Sequence, residues 1–186
     1  MTRIISGKAK GVRLLGLPGD KVQPTAGRTK EALFSILSSR QISGAFLDLF
    51  SGSGQIGLEA ASRHFRPVVL IENSRAAQRV IRRNIENTKL NDDVTLLCSN
   101  VNKALAKLND SGQKFDVAFM DPPWKLAIDY FHKLAQPISE LLNSEGLLIL
   151  EHHKNVESPE TVTVLEYLNS CKYGSAMLSF YKKAVV

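Results

Sequence analysis

The sequence predicts an α/β fold, in which helices cover both faces of a mostly parallel sheet. From Ala45 onward, short apolar runs alternate with longer segments whose apolar residues repeat at helical spacing, a pattern that is typical of parallel sheets. The last two strand-like segments, residues 162–167 and 176–182, have no helix between them, so we expect an antiparallel terminal strand. A chain of 186 residues suits a single domain, which we divide into a basic N-terminal extension over 1–40 and a core over 45–186.

The N-terminal extension is predicted to be a small basic hairpin followed by a helix. Residues 3–7 and 11–15 are short β-like pieces on either side of a turn at residues 8–10. Residues 23–25 should be extended, because the residue before a proline avoids the helical region. A helix over residues 28–40 follows, since its apolar residues repeat at helical spacing.

The core elements follow from apolar runs and the turn residues that bound them. Runs rich in β-branched and aromatic residues predict strands, and apolar residues spaced three and four apart predict helices. The predicted strands cover residues 46–50, 67–72, 94–98, 115–120, 146–151, 162–167 and 176–182. One predicted helix begins near residue 56, and three more cover residues 74–88, 102–108 and 126–142. Turns are expected at Asn169-Ser170 and at Tyr173-Gly174, where polar residues and a glycine interrupt the last two strands.

A glycine-rich turn over residues 52–57 joins the first core strand to its helix. It matches G-x-G-x-x-G, and Glu72 lies about twenty residues further on, so one interpretation is a Rossmann-like dinucleotide site. Asp48 favours another cofactor, because a carboxylate at the strand end would repel a pyrophosphate and attract a cation. S-adenosylmethionine carries an ammonium and a sulfonium and no phosphate, so we prefer it to NAD. The alternative role for the Asp48 side chain is to cap the turn or the helix that follows it.

Polar side chains follow several predicted strands at the point where each strand ends. Asp48, Glu72, Asn100 and Asp121 all occupy such positions, and ligands of parallel sheets bind outside these ends. We expect Glu72 to bind both ribose hydroxyls and Asn100 to bind the adenine edge, although Asn100 would also suit a helix N-cap. The predicted cofactor-binding residues are Asp48, Phe50, Gly52, Ser53, Gly54, Glu72, Asn73, Asn100 and Val101.

A second motif, Asp121-Pro122-Pro123-Trp124, directly follows the predicted strand over residues 115–120. Two consecutive prolines make the loop rigid and remove two N–H donors, which leaves acceptors facing a substrate. The Asp121 carboxylate and the Pro122 carbonyl could hold the two N–H bonds of an amine on a base or an amide, and stabilise the charge that develops on nitrogen. Trp124 could stack on the base. We therefore predict that these four residues form the catalytic element.

The net charge of +6 lies entirely in the first thirty residues. Residues 1–30 hold seven basic side chains and one acidic side chain, whereas the rest of the chain holds 17 of each. A basic arm on a neutral domain indicates a polyanionic partner, most simply nucleic acid, although such an arm could also serve solubility alone. The predicted RNA-binding residues are Arg3, Lys8, Lys10, Arg13, Arg28 and Lys30.

The predicted helix over residues 74–88 carries a second group of cations, namely Arg75, Arg79, Arg82 and Arg83. This group is either a further nucleic-acid surface or a solvated helix face.

The remaining composition excludes several other classes of protein. His64, His132, His152 and His153 show no metal-ligand spacing, so we expect no metal site and ordinary surface histidines. The two cysteines are far apart and indicate a reduced compartment. No apolar stretch approaches a transmembrane length and no signal-peptide pattern begins the chain. We therefore expect a cytoplasmic protein without a membrane partner.

The order of these motifs resembles that of the bacterial small-subunit ribosomal RNA guanine-N2 methyltransferases, an RsmD-like family. The resemblance covers nearly the whole chain and is most specific in the N-terminal block. The matching residues are the start over 1–11, Pro24-Thr25, Arg28, the run 31–37, the run 46–60, Glu72 and Asp121-Pro122-Pro123-Trp124.

The resemblance implies a class I S-adenosylmethionine-dependent fold and methylation of a guanine exocyclic amine in 16S rRNA. It also implies a substrate within an assembled or assembling small subunit, and we expect a monomer. Gln23 stands where the family usually has Arg, and Trp124 stands where it usually has Tyr or Phe. Asp-Pro-Pro-Trp also occurs in some adenine-N6 methyltransferases, so an adenine-N6 enzyme acting on DNA or RNA is the main alternative. A protein glutamine methyltransferase is a weaker alternative, because such sites usually have Asn in place of Asp121 and would give the basic arm no purpose. An NAD-binding protein and a non-catalytic RNA-binding factor are the others.

Overall fold

A computed structural model describes residues 2–17, 24–162 and 164–184, without the side chains of residues 24–26. Within this part, a seven-stranded sheet has the order β5-β4-β3-β6-β7-β9-β8. The strands are β1 (Thr2–Arg3), β2 (Arg13–Leu14), β3 (Phe46–Asp48), β4 (Val68–Glu72), β5 (Val94–Cys98), β6 (Phe115–Met120), β7 (Leu142–His153), β8 (Leu165–Tyr173) and β9 (Ala176–Lys183). The helices are α1 (Pro24–Ser39), α2 (Gln55–Ser62), α3 (Arg75–Thr88), α4 (Val101–Asp110) and α5 (Ala127–Leu141).

The sheet is mostly parallel, as the alternation of elements predicts. Strands β3 to β7 pair in parallel, whereas β9 pairs antiparallel with β7 and β8 pairs antiparallel with β9. The chain moves from β3 outward to β5 and then returns to place β6 on the other side of β3. The order of the strands therefore reverses between β3 and β6, and open α/β sheets bind their ligands outside such a reversal.

Two apolar cores lie on the two faces of the sheet. Helices α1, α2 and α3 contribute Leu33, Phe34, Leu58 and Ile81 to one core. Helices α4 and α5 contribute residues such as Leu105 to the other. The strand β3 is buried throughout, so the site at its carboxyl end rests on a rigid base.

The predicted hairpin is present, with shorter strands than its sequence suggests. Only Thr2–Arg3 and Arg13–Leu14 pair, and Arg3 lies opposite Arg13. The hairpin is fixed to α2, because the Lys8 N–H donates to the Ser62 carbonyl at 2.9 Å. No helix in the described part of the chain is long and apolar enough to cross a membrane.

Several predicted boundaries are wrong. The strand predicted over 146–151 covers Leu142–His153, and the one predicted over 162–167 covers Leu165–Tyr173. Pro24 and Thr25 begin α1 rather than forming an extended segment, because a proline lacks only an N–H that the first helical turn leaves unbonded anyway; Gln23 lies outside the described residues. The turn expected at Asn169-Ser170 is also absent, since both residues belong to β8. The register with β9 shifts between Tyr167 and Asn169, and polar residues are tolerated because β8 is an edge strand.

Candidate active site

The glycine loop between β3 and α2 has the backbone that its sequence predicts. Gly52 and Gly54 have φ angles of 54° and 80°, in the left-handed region that favours glycine. A Cβ atom on Gly57 would lie 2.0 Å from the Leu70 Cδ2 atom, so this glycine lets α2 pack closely on β4. A Cβ atom on Gly52 would meet nothing within 4 Å, which leaves the space beside that turn open.

Asp48 lies beneath the loop and is 1% exposed. Its Oδ2 atom accepts a hydrogen bond from the Gly57 N–H at 3.2 Å, and the N-cap residue of α2, Gly54, has no side chain that could do so. Burial raises the pKa of Asp48 to about 7, against the opposing effect of the Gly57 hydrogen bond. The structure thus gives Asp48 the capping role, and its contact with a cofactor stays a prediction.

Glu72, at the end of β4, ties the loop to the start of α3. Its Oε2 atom accepts the Gly52 N–H at 2.8 Å and its Oε1 atom accepts the Ser74 N–H at 2.7 Å. Asn73, between Glu72 and Ser74 in the sequence, is exposed. Ser53 is held from α3, because the Asn84 Nδ2 atom donates to its carbonyl at 2.9 Å.

The remaining predicted cofactor residues lie around the same edge. Asn100 caps α4, because its Oδ1 atom accepts the Lys103 N–H at 3.0 Å, and its Nδ2 atom is the donor that could bind a base. Val101 begins α4 and is buried. Phe50 contacts the ring of Tyr130 edge-on, with 5.0 Å between the ring centroids.

The Asp-Pro-Pro-Trp loop leaves β6 on the other side of the strand-order reversal. Pro122 is buried and Pro123 is exposed. The Pro123 carbonyl accepts the Leu126 N–H at 2.8 Å, so it is used within the loop. The Trp124 ring packs against His153, with 5.0 Å between the ring centroids. Burial raises the pKa of Asp121.

The sequence analysis missed Glu151, which lies beside Asp121. Met120 pairs with Leu150 across β6 and β7, so the next residue of each strand occupies the same position at the sheet edge. Burial raises the pKa of Glu151 to about 8, and the charge of Asp121 contributes to this rise. The acid at the end of a predicted strand was a signal for this position, although the strand order that places it beside Asp121 was not available from the sequence.

The histidine expectation is wrong for His152, which is fully buried. Its Nε2 atom lies 2.7 Å from the Ser179 Oγ atom, and burial lowers its pKa. His153 is partly buried beside Trp124. In the described residues, no three His, Cys, Asp or Glu side chains group together closely enough to hold a metal ion.

Four carboxylates lie on one face at the carboxyl edge of the sheet, without grouping closely enough to hold a metal ion. They are Asp48, Glu72, Asp121 and Glu151. Residues two positions apart on a strand point to the same face of the sheet. The residues two positions before the four acids all belong to one core, namely Phe46, Leu70, Phe119 and Ile149. The charges of Asp121 and Glu72 both act on Asp48.

This arrangement fits S-adenosylmethionine better than NAD. The negative edge favours a cationic ligand, and the Asp48 carboxylate occupies the Gly57 N–H that a pyrophosphate at the start of α2 would need.

The predicted RNA-binding residues divide into three groups. Arg3, Lys10, Arg13 and Arg28 are exposed. Lys8 is ion-paired with Asp93. Lys30 is a correction: it is 1% exposed and lies 3.4 Å from the Glu59 Oε2 atom. Its Nζ atom also donates to the Arg3 carbonyl at 2.7 Å, so it holds the hairpin and cannot reach an RNA backbone.

Comparison with known proteins gives a family and several close relatives. The family described as "Conserved hypothetical protein 95" matches residues 2–182. The Bacillus subtilis protein "Putative rRNA methyltransferase YlbH" is 31% identical over 97% of this chain and 98% of its own length. The "Ribosomal RNA small subunit methyltransferase D" of Escherichia coli is 32% identical over 84% of this chain and 74% of its own length.

Solved structures agree with these matches. The hypothetical protein TTHA0928 of Thermus thermophilus has a TM-score of 0.84 and 32% identity, and the alignment covers 97% of this chain and 98% of that one. The structure named "Putative methyltransferase yhhF from Escherichia coli" has a TM-score of 0.79 and 28% identity, with 98% of this chain and 97% of that one covered.

Proposed function

The chain belongs to the family described as conserved hypothetical protein 95, and on this basis we propose that it is an S-adenosylmethionine-dependent methyltransferase that modifies the N2 amine of a guanine in 16S rRNA. One observation carries the proposal. The glycine loop, the Asp-Pro-Pro-Trp loop and four carboxylates converge where the strand order reverses between β3 and β6. Relatives named as small-subunit rRNA methyltransferases support the assignment.

The cofactor side of the site uses the glycine loop and the ends of β4 and β5. When bound, S-adenosylmethionine supplies an electrophilic methyl group on a sulfonium. Glu72 would hold the ribose hydroxyls, the Asn100 amide would bind the adenine edge, and the backbone of residues 52–54 would face the cofactor. Asp48 keeps that backbone in place through Gly57.

The substrate side uses the Asp-Pro-Pro-Trp loop. The guanine N2 lone pair is delocalised into the ring, so the amine is a poor nucleophile until its N–H bonds are held. The Asp121 carboxylate and the Pro122 carbonyl accept those two N–H bonds, which directs the lone pair and stabilises the positive charge that develops on nitrogen. Trp124 stacks on the base, and His153 supports its ring from behind.

Glu151 takes part in removing the proton that the guanine N2 atom loses. When N2 gains a methyl group it must lose one proton, and the nearest acceptor is a pair of carboxylates. Two carboxylates at adjacent strand ends do not both ionise readily, so Glu151 carries the shared proton while Asp121 stays ionised and binds the amine. After transfer, the N2 proton passes to Asp121 and leaves to water through the pair.

The basic extension provides the RNA-binding part of the single domain. A guanine in folded RNA must be unstacked before its amine reaches Asp121. The exposed cations Arg3, Lys10, Arg13 and Arg28 bind backbone phosphates and set the register of the RNA, while the loop selects the base. We place the enzyme in the cytoplasm, acting as a monomer on an assembled or assembling small subunit.

The adenine-N6 alternative is not favoured by the relatives, which are named as ribosomal RNA methyltransferases. A non-catalytic RNA-binding factor would need neither the capped glycine loop nor the carboxylate edge. The NAD interpretation requires free N–H groups at the start of α2, where Asp48 already accepts one.

The proposal is tested by the identity of the methylated nucleoside. The protein is incubated with tritiated S-adenosylmethionine and small ribosomal subunits that lack the modification, or with free 16S rRNA, and the RNA is digested to nucleosides. Label in N2-methylguanosine is the expected result. Label in N6-methyladenosine would establish the alternative, and absence of label from both RNAs would contradict an rRNA substrate.

A further inference from the structure

We propose that the arginine row of α3 and the cross-strand pair Arg3–Arg13 form one continuous surface that binds RNA backbone phosphates. This basic surface consists of Arg3, Arg13, Arg75, Arg79 and Arg83. The inference rests on the proposed function for the identity of the polyanion. It adds a specific surface, most of which lies outside the N-terminal arm that the charge distribution indicates.

The hairpin holds two cations directly opposite each other. Arg3 and Arg13 are cross-strand partners, and both are exposed. Like charges in this position destabilise a β-ladder unless an anion lies between them. The neighbouring backbone is nevertheless fixed, because the Ile4 N–H donates to the Val12 carbonyl at 3.0 Å and the Lys30 Nζ atom donates to the Arg3 carbonyl at 2.7 Å.

The buried Glu59 carboxylate makes the hairpin rigid from below. It accepts the Ile5 N–H at 2.7 Å and the Ser6 N–H at 3.0 Å, and it is fully buried. Its negative charge is matched by Lys30 and Arg63, so it does not neutralise the exposed pair. The fixed hairpin therefore keeps Arg3 and Arg13 opposite each other, and a bound anion would relieve the repulsion between them.

Asn84 joins the hairpin segment to α3. Its Oδ1 atom accepts the Leu15 N–H at 2.8 Å, and its Nδ2 atom donates to the Leu15 carbonyl at 3.0 Å. This places the chain after Arg13 against the helix at the residue that follows Arg83. Successive helical residues are about 100° apart, so Arg83 lies on the exposed flank of α3 beside that contact. Arg82 is left out of the surface because its guanidinium turns toward β5, where it donates to the Cys98 Sγ atom at 3.0 Å.

The arginine row itself has the spacing of a phosphate-binding stripe. Arg75, Arg79 and Arg83 follow at intervals of four residues, are all exposed, and make no ion pair with another described residue. Cations at this spacing on a helix repel one another, and no described acid balances the charge of the row. Other surface cations do have acidic partners, since Lys8 and Arg66 both pair with Asp93.

The first test compares Arg79→Gln/Arg83→Gln with the wild-type protein in binding to fluorescently labelled 16S rRNA over a range of KCl concentrations. The matched control is Lys103→Gln/Lys107→Gln, which removes two exposed cations from α4 on the other face of the sheet. We expect the α3 variant to bind roughly three- to tenfold more weakly, with a slope of log affinity against log salt that is lower by about 1 to 2. The control should match the wild type, and melting temperatures check the folding of every variant.

The second test uses Arg3→Gln/Arg13→Gln. Removing two opposed cations should raise the melting temperature while weakening RNA binding, a combination that a purely structural role would not produce. Unchanged affinity and salt slope in both arginine variants, with a wild type that binds 16S rRNA and methylates it, would overturn the surface, including the phosphate contacts of Arg3 and Arg13, and leave the methyltransferase assignment intact. A wild type that neither binds nor methylates 16S rRNA would overturn both.

Discussion

The Glu72 Oε2 atom accepts a hydrogen bond from the Gly52 N–H at 2.8 Å, so the acid that ends β4 is joined to the loop that follows β3. The same carboxylate binds the Ser74 N–H through its other oxygen. It thus joins the turn after β3 to the start of α3, and we propose that its oxygens also bind the ribose hydroxyls.

Replacement of Glu72 by Ala should weaken S-adenosylmethionine binding by roughly 10- to 100-fold, since hydrogen bonds to a charged group contribute about 1.5–3 kcal/mol. Isothermal titration calorimetry measures the change. Glu166→Ala, which removes an exposed acid from the distant edge strand β8, is the control and should bind like the wild type. Equal affinities in the two variants would exclude Glu72 from the cofactor site.

Glu151→Gln should make the protein more stable at neutral pH. A carboxyl whose pKa is raised on folding favours the folded state below its unfolded pKa, and this contribution is lost as the pH rises through the folded value of about 8. Glutamine stays neutral, so the variant should melt at a higher temperature than the wild type at pH 8. The difference should disappear near pH 4. A difference that does not vary with pH would contradict a buried, proton-binding Glu151.

The same variant should change the pH dependence of methyl transfer at high pH. Glu151 is neutral while Asp121 ionises, so the neutral Gln should leave the pKa of Asp121 nearly unchanged, whereas the ionisation of Glu151, with a pKa of about 8, is removed. In single-turnover assays with saturating cofactor, the rise of the transfer rate with pH should therefore match the wild type, and any change near pH 8 should be absent from Glu151→Gln. A change near pH 8 that persists in the variant would show that Glu151 does not share a proton with Asp121.

Lys30→Met should destabilise the protein by roughly 3–5 kcal/mol, because it leaves the buried Glu59 carboxylate without one of its cations. Urea unfolding followed by circular dichroism measures this cost. Arg28→Gln changes an exposed cation two residues earlier in the same helix and should change the stability by less than about 0.5 kcal/mol. If the two variants were equally stable, the structural assignment of Lys30 would be wrong.

Relationships within a local segment could be predicted from the sequence, whereas those that depend on long-range packing could not. Asp48 and the glycine loop form one continuous strand–turn–helix segment, so their relationship could be predicted. Glu151 could not, because its position beside Asp121 depends on β7 lying next to β6 after the whole of α5. Lys30 was misassigned for a similar reason: charge alone predicts exposure, and only the packing of α1 against the buried Glu59 places its ammonium inside.

The central claim is that Asp121 acts in methyl transfer to a guanine and not in holding the cofactor. The most direct test compares Asp121→Ala with the wild type on small subunits that lack the modification. It measures S-adenosylmethionine affinity by calorimetry and tritium in N2-methylguanosine in parallel. We predict cofactor affinity within a few-fold of the wild type and a loss of transfer of at least about 100-fold. Transfer at the wild-type rate in Asp121→Ala would contradict the account.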